Sequence, residues 1–355
     1  MVTSKPTADG RPQIRRMHLR QAAYVVVVFI AALVLMSWSV TIGSTNITAE
    51  QVYQVFFNQF IPGSYDVPWK TSEIVMKVYA PRVLMAFFAG AILAIGGAIT
   101  QTILKNSLAT PYTLGVSSSA AFGASLSIVF GITVMAGQVG TIVNAFLFSL
   151  IPALVILFAS ARKHLSPASM VLIGVAISYV FSACTTILQY FGEADAAKSS
   201  LFWAVGDLNS VSLWQIPYVI VTAAAMLIIA AYLTKDMDAM RMGDDTATSL
   251  GVNVRLTRLI LMITACFCTA VIVSFIGAIG FICLLAPHIS RLIGGSGLRF
   301  LIPASAVTGA LLLLFADIIA KDLINPIMLP VGAITALIGG PVLVLLLLRS
   351  RDSVI

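Results

Sequence analysis

Runs of about 20 apolar residues recur along this 355-residue chain, and no other feature restricts its fold so strongly. A hydrocarbon core about 30 Å thick needs about 20 residues of helix to cross it. Inside lipid, only helices or closed barrels satisfy every backbone N–H and C=O. Ten segments qualify as candidate spans: 21–42, 83–104, 113–131, 138–160, 168–190, 214–233, 258–275, 281–290, 300–320 and 329–348. The eighth is too short to cross as a straight, lipid-facing helix, so it is expected to be buried among its neighbours. The chain is 59% hydrophobic and only 10% charged, against roughly 25% charged in soluble domains. The expectation is an all-α polytopic membrane protein with ten transmembrane helices, flanked by short tails at 1–20 and 349–355. Secretory cleavage is not expected, because Ala22–Val40 is long enough to span and lacks a small-residue cleavage site.

Basic residues orient the bundle. With ten spans and the N-terminus inside, the outer segments hold only Lys70, Lys77, Arg82, Lys198 and Lys321, leaving 16 of the 21 Lys and Arg on the cytoplasmic side. That bias accounts for the net charge of +7 without a nucleic-acid partner. The cysteines all lie in apolar runs, and His18, His164 and His288 are scattered, so no metal-ligand spacing emerges. On the outer side, 47–60 reads as an amphipathic interfacial segment, and Trp203 and Trp214 as membrane-interface anchors.

One interval breaks the lipid-like pattern. Between Asp236 and Arg258 the chain packs seven charges into 23 residues, with apolar runs on both sides. Thr246 to Leu250 is predicted as a short helix, with Asp244 or Asp245 capping its start and Gly251 supplying the left-handed position at its end. A capped helix between two spans, within a cytoplasmic loop at 234–257, suits docking onto a soluble protein; a solvated loop is the plainer alternative.

Span two carries a different signal. Ala86, Gly90, Ala94 and Ala98 recur every four residues, a small-residue face that lets another helix approach closely. Gly97 and Gln101 continue it toward the cytoplasm, and Gln101 suits either a polar path or a helix–helix hydrogen bond. The translocation path is expected along Gly90, Ala94, Gly97 and Gln101 with span ten packed nearby, and Ile92 is expected to face lipid. Asp317 is the only acidic residue inside a span, and there is no Gly-Lys pair for a nucleotide-binding loop. A gradient-driven carrier of a small organic solute is the rival reading, disfavoured by the scarcity of intramembrane charge. No clustered nucleophile or paired carboxylates suggest an enzyme.

Four blocks give a more specific likeness: APRVLMAFFAGAILAIGGAITQTILKNSLATPYTLG (80–115), GDDTATSLGV (243–252), GAIGFICLLAPHISRLIGG (277–295), and ADIIAK (316–321) followed by LPVGAITALIGGPVLVLLL (329–347). In order and spacing these resemble the FecCD-type permease subunits of type II ATP-binding-cassette (ABC) importers, which carry iron-siderophores, haem and cobalamin. The resemblance implies ten helices per subunit and a second permease, identical or homologous. It also implies two cytoplasmic ATPase subunits holding ATP and Mg, and an extracytoplasmic substrate-binding protein. No cofactor is implied on this chain. The implied cargo is a ferric siderophore or related iron chelate, haem or cobalamin, carried across a prokaryotic inner membrane by alternating access.

The resemblance assigns Asp244, Asp245, Ala247, Leu250 and Gly251 to ATPase coupling, and Lys77, Arg82 and Lys321 to docking of the binding protein. Three positions depart from the family pattern. Ser107 replaces the usual proline, Tyr79 replaces a basic residue, with Lys77 a nearby substitute, and Lys321 replaces arginine, which keeps the charge and loses the bidentate fork.

Overall fold

The computed structural model describes residues 11–43, 47–162, 165–324 and 327–349. Residues 1–10 of the N-terminal tail, residues 350–355 of the C-terminal tail, and His164 lie outside them. The helices in order are α1 (Arg11–Ser39), α2 (Ala49–Phe60), α3 (Trp69–Ile74), α4 (Ala80–Ile103), α5 (Val116–Phe130), α6 (Gly137–Arg162), α7 (Pro167–Phe191) and α8 (Ala194–Val205). They continue with α9 (Ile216–Tyr232), α10 (Thr234–Arg241), α11 (Asp244–Ser249), α12 (Val254–Ile276), α13 (Ile282–Gly294), α14 (Leu298–Asp322) and α15 (Val331–Arg349). Among the described residues, seven helical segments are long and apolar enough to cross a membrane. Shorter apolar helices occupy the third, eighth and tenth candidate spans.

Several boundaries move. The basic residues from Arg11 to Arg20, expected in a tail, form the first turns of α1. Span two extends outward through a π-helical turn at Val75–Tyr79, making one helical path from Trp69 to Ile103. The amphipathic segment forms α2, opened by a reciprocal cap between Thr48 and Gln51. The outer connection after span five, where only interfacial tryptophans were expected, folds into α8.

Span eight is short because the chain just before it is not helical. Residues 277–280 run between α12 and α13 without helix, and Phe281 takes a left-handed φ of 66° at the start of α13. This irregular backbone is tolerated because protein covers it. Asp207 N–H donates to Ile276 O at 2.8 Å, and Tyr112 Oη donates to Ile279 O at 3.2 Å.

The core centres on α4, which is buried along nearly its whole length. The small face does what small faces do in lipid, where packing rather than water drives association. A Cβ on Gly90 would sit 2.3 Å from Gly309 O, and one on Gly309 would sit 2.3 Å from Gly90 O. Further along, a Cβ on Gly97 would sit 1.9 Å from Cys283 O. The neighbours of this stripe are thus α14 and α13, not the tenth span. Ile92, expected to face lipid, is fully buried as well.

The packing yields a direct test. Gly90→Ala is expected to destabilise the detergent-solubilised protein by about 1–3 kcal/mol through overpacking, read as a lower thermal midpoint. Gly280→Ala, where a Cβ meets nothing within 4 Å, is expected to leave the midpoint unchanged. Equal midpoints for both variants would show that α4 and α14 do not meet at Gly90.

Candidate functional site

The charged interval folds as a helical pair, α10 and α11, at the end of the bundle that carries most of the basic residues. The structure corrects its capping. Gly243 is the N-cap and no side chain caps there, because Asp244 and Asp245 already lie in the first turn of α11. Their negative charge complements the helix start. The far end closes as expected: Gly251 has φ 87°, its N–H donates to Thr248 O at 3.0 Å, and Val252 N–H reaches Ala247 O at 3.0 Å.

Burial divides the residues expected to couple. Ala247 is fully buried against Met240 and Val254 of the same chain, so it seats the helix rather than offering a contact. Leu250, Gly251 and Asp245 are exposed, and Met242 beside them is 75% exposed. A groove of about 690 Å³ runs past Asp245, Gly251 and Arg255.

Asp244 turns inward. Arg258, buried at the start of α12, donates through Nη2 to both Asp244 oxygens at 2.9 and 2.8 Å, while Lys105 Nζ lies 2.8 Å from Oδ1. Burial pushes the Asp244 carboxyl up, but hydrogen bonds from Lys105 and Arg258, with their charges, outweigh it and hold the pKa below the ordinary 3.8. A depressed carboxylate contributes fully above its unfolded pKa and loses that contribution only as pH falls through the folded value. The bridge is therefore intact at neutral pH. Lys105 pairs from a left-handed backbone, φ 50°, a conformation that costs a non-glycine residue about 1–2 kcal/mol.

At the opposite end, two of the three residues expected to meet the binding protein are inside the protein. Arg82 and Lys321 are each 1% exposed, and both pair with the buried Asp317: Arg82 Nε at 2.6 Å from Oδ1, Lys321 Nζ at 2.8 Å from Oδ2. Arg82 also donates to Asn209 Oδ1. Lys321 also donates to Ser39 O and Oγ at 3.2 and 3.0 Å, tying α1 to α14. Tyr79, where the family usually has a base, gives its ring face to Lys321 at 5.8 Å. Lys77 is exposed and pairs with Glu73 one turn away, so it does not replace a base in this cluster. The i,i+4 spacing of Asp317 and Lys321 was the available sequence signal for the cluster.

Gln101 bridges helices. Its Nε2 donates to Cys283 O at 3.3 Å, and Arg291 Nη2 donates to its Oε1. Within this chain Gly90, Ala94, Gly97 and Gln101 are all buried in helix–helix contacts. The exposed polar face lies on α7, a helix the sequence reading passed over. Tyr179, Ser182, Thr186 and Tyr190 share one side of it, with the two tyrosines 75% and 82% exposed.

The buried cluster carries its own test. Asp317→Asn leaves two buried cations without a counter-ion, so a loss of about 3–5 kcal/mol is expected. Lys77→Ala removes only an exposed i,i+4 pair, worth about 0.3–0.5 kcal/mol. Thermal unfolding in detergent that ranks the two the other way would contradict the burial of Asp317.

Comparison with known proteins places this arrangement. Residues 29–349 match the FecCD transport family. A vitamin B12 import system permease protein of Klebsiella pneumoniae is 34% identical over 82% of this chain and 88% of its own length. An iron(3+)-hydroxamate import system permease protein of Bacillus subtilis is 33% identical over 92% of this chain and 84% of its own. A solved metal-chelate type ABC transporter in an inward-facing conformation superposes with a TM-score of 0.80 at 25% identity, covering 92% of this chain and 98% of that one. Lying within one all-helical permease fold, and matched to the family along nearly all its length, the chain belongs to the FecCD transport family of ABC importer permeases.

Proposed function

We propose that this chain moves a ferric siderophore, or a related iron chelate, inward across a prokaryotic cytoplasmic membrane. It works as one of two permease subunits, identical or homologous, driven by ATPase subunits on the cytoplasmic side and supplied by a binding protein outside. The observation that carries the reading is the docking segment. A short helix is seated on its own chain through Ala247 and presents Met242, Leu250 and Gly251 outward at the basic end of the bundle. Apolar side chains rimmed by charge are the usual make-up of a docking patch. With that end in the cytoplasm, the segment faces the compartment that supplies ATP.

The polar face of α7 supports the pairing of permeases. On a helix left largely uncovered, the shared face of Tyr179, Ser182, Thr186 and Tyr190 suits a water-lined path shared with the second subunit better than lipid. Rocking of the two subunits then exposes this path to either side in turn. At the outer end, Lys77 is the exposed one of the three, and it meets a carboxylate on the binding protein by exchanging its pairing with Glu73. Arg82 and Lys321 act there only where docking opens their cluster.

Uptake of radioactive ferric hydroxamate into proteoliposomes holding the full assembly is expected to require ATP inside. It is also expected to collapse in Gly251→Trp while membrane insertion persists. Uptake driven by an ion gradient without ATP would instead favour the carrier reading. ATP-dependent uptake of cobalamin or haem, with none of the hydroxamate, would keep the importer and replace the cargo.

A further inference from the structure

We propose that Asp244 is a positioning residue through which movement of α11 is passed to the ends of α4 and α12, by way of Lys105 and Arg258. The inference rests on the reading of α11 as the ATPase docking helix and adds the route inward from it.

Three elements converge on one carboxylate. Arg258 holds both Asp244 oxygens through Nη2 while its Nε donates to Ile103 O, the last residue of α4, at 3.2 Å. One buried guanidinium thus clamps α11, α12 and α4 together, and a planar fork fixes direction as well as distance. Lys105 adds a second tie from the residue that closes α4. There the chain turns so that Asn106 N–H reaches Gln101 O at 3.1 Å and Lys105 N–H reaches Thr102 O at 3.3 Å. This is the closure that favours glycine at the left-handed position, yet lysine occupies it and sends its ammonium to Asp244. A backbone outlier of this kind is an observation from which a role can be inferred.

The network continues past α4. Gln101, in the same terminal turn, is bonded on both sides to α13 through Cys283 and Arg291. By contrast, the apolar seat of α11 is small, built from Met240, Ala247 and Val254 with two partly buried neighbours. Displacing α11 with Asp244 held therefore drags the end of α4, whereas with Asp244 released it slides on a minor apolar contact. Contiguous bonded networks of this kind carry coupling between sites when they can take two arrangements.

The informative variant is Lys105→Gly. Glycine suits the left-handed backbone, so folding is expected to hold or improve, while the ammonium is lost. The full assembly of permease, ATPase and binding protein is reconstituted in nanodiscs, with Leu108→Cys as a reporter just beyond α4, where the side chain is exposed. The reporter's maleimide labelling rate is measured without nucleotide and with ATP and vanadate. In Lys105→Gly the ATPase is expected to co-purify as in the native chain, with the nucleotide-dependent change in labelling reduced at least about fivefold. Asp244→Asn is expected to lose the same response, and the double variant no more than either alone.

A labelling response unchanged in both single variants would overturn the inference. So would a native chain whose position 108 ignores nucleotide while the ATPase stays bound. Loss of the ATPase from Lys105→Gly would overturn it too, by making the bridge part of the docking surface. Failure of the docking reading shows separately, as a Gly251→Trp chain that still holds its ATPase.

Discussion

The interior of this protein is built around the absence of water. In a hydrocarbon layer an unpaired backbone or side-chain polar group has nothing to bond to, and that requirement shapes every level of the fold. It makes the spans helical, and it makes hydroxyls bond back onto their own helices, as Thr100 does to Gly96 O and Ser290 to Ala286 O. It also permits the non-helical stretch before α13 only where Tyr112 reaches the Ile279 carbonyl and Asp207 N–H takes the last carbonyl of α12. Since lipid tails are as apolar as leucine, helices gain little by hiding apolar surface from them. Close backbone approach takes over, and the Gly90–Gly309 contact is its clearest instance.

Charge is confined accordingly. The described ion pairs gather at the two ends of the bundle and do different work. At the outer end, Asp317 is shared between Arg82 and Lys321 in a setting with almost no solvent access. Such a cluster adds little net stability, but breaking it is costly because a bare charge is left behind. It therefore fixes how α1, α4 and α14 meet more than how firmly they hold. At the other end, Asp244 is partly exposed and its pairs are solvent-screened, so its importance lies in geometry: one carboxylate shared by three elements.

This division suits a subunit that moves as a body. Close backbone approach runs along α4, α13 and α14, while α7 is left largely uncovered with its polar face outward. A close-packed interior beside a helix with one uncovered face is what a pair of permeases needs if the path lies between subunits rather than within one.

Sequence alone determined the fold class, the order of the apolar segments, and the existence of a charged loop holding a short helix. It also determined the family, because hydropathy and the motif blocks are local properties that survive without coordinates. Gly251 was legible for the same reason: a helix end needs a left-handed residue and glycine is the cheapest. Which side of each residue faces what was not legible. The stripe on α4 looked equally like a path and a packing face, and only the carbonyl of Gly309 against Gly90 decided between them. Arg82 read as a surface cation because its partner Asp317 is 235 residues away along the chain, and Lys321, only one turn from Asp317, because the spacing does not show that both are buried. Asp244 read as a cap because its true partners, Lys105 just past α4 and Arg258 on α12, meet it only where the ends of those two helices pack together. Such pairings are set by how the helices pack, and only the tertiary structure brings them together.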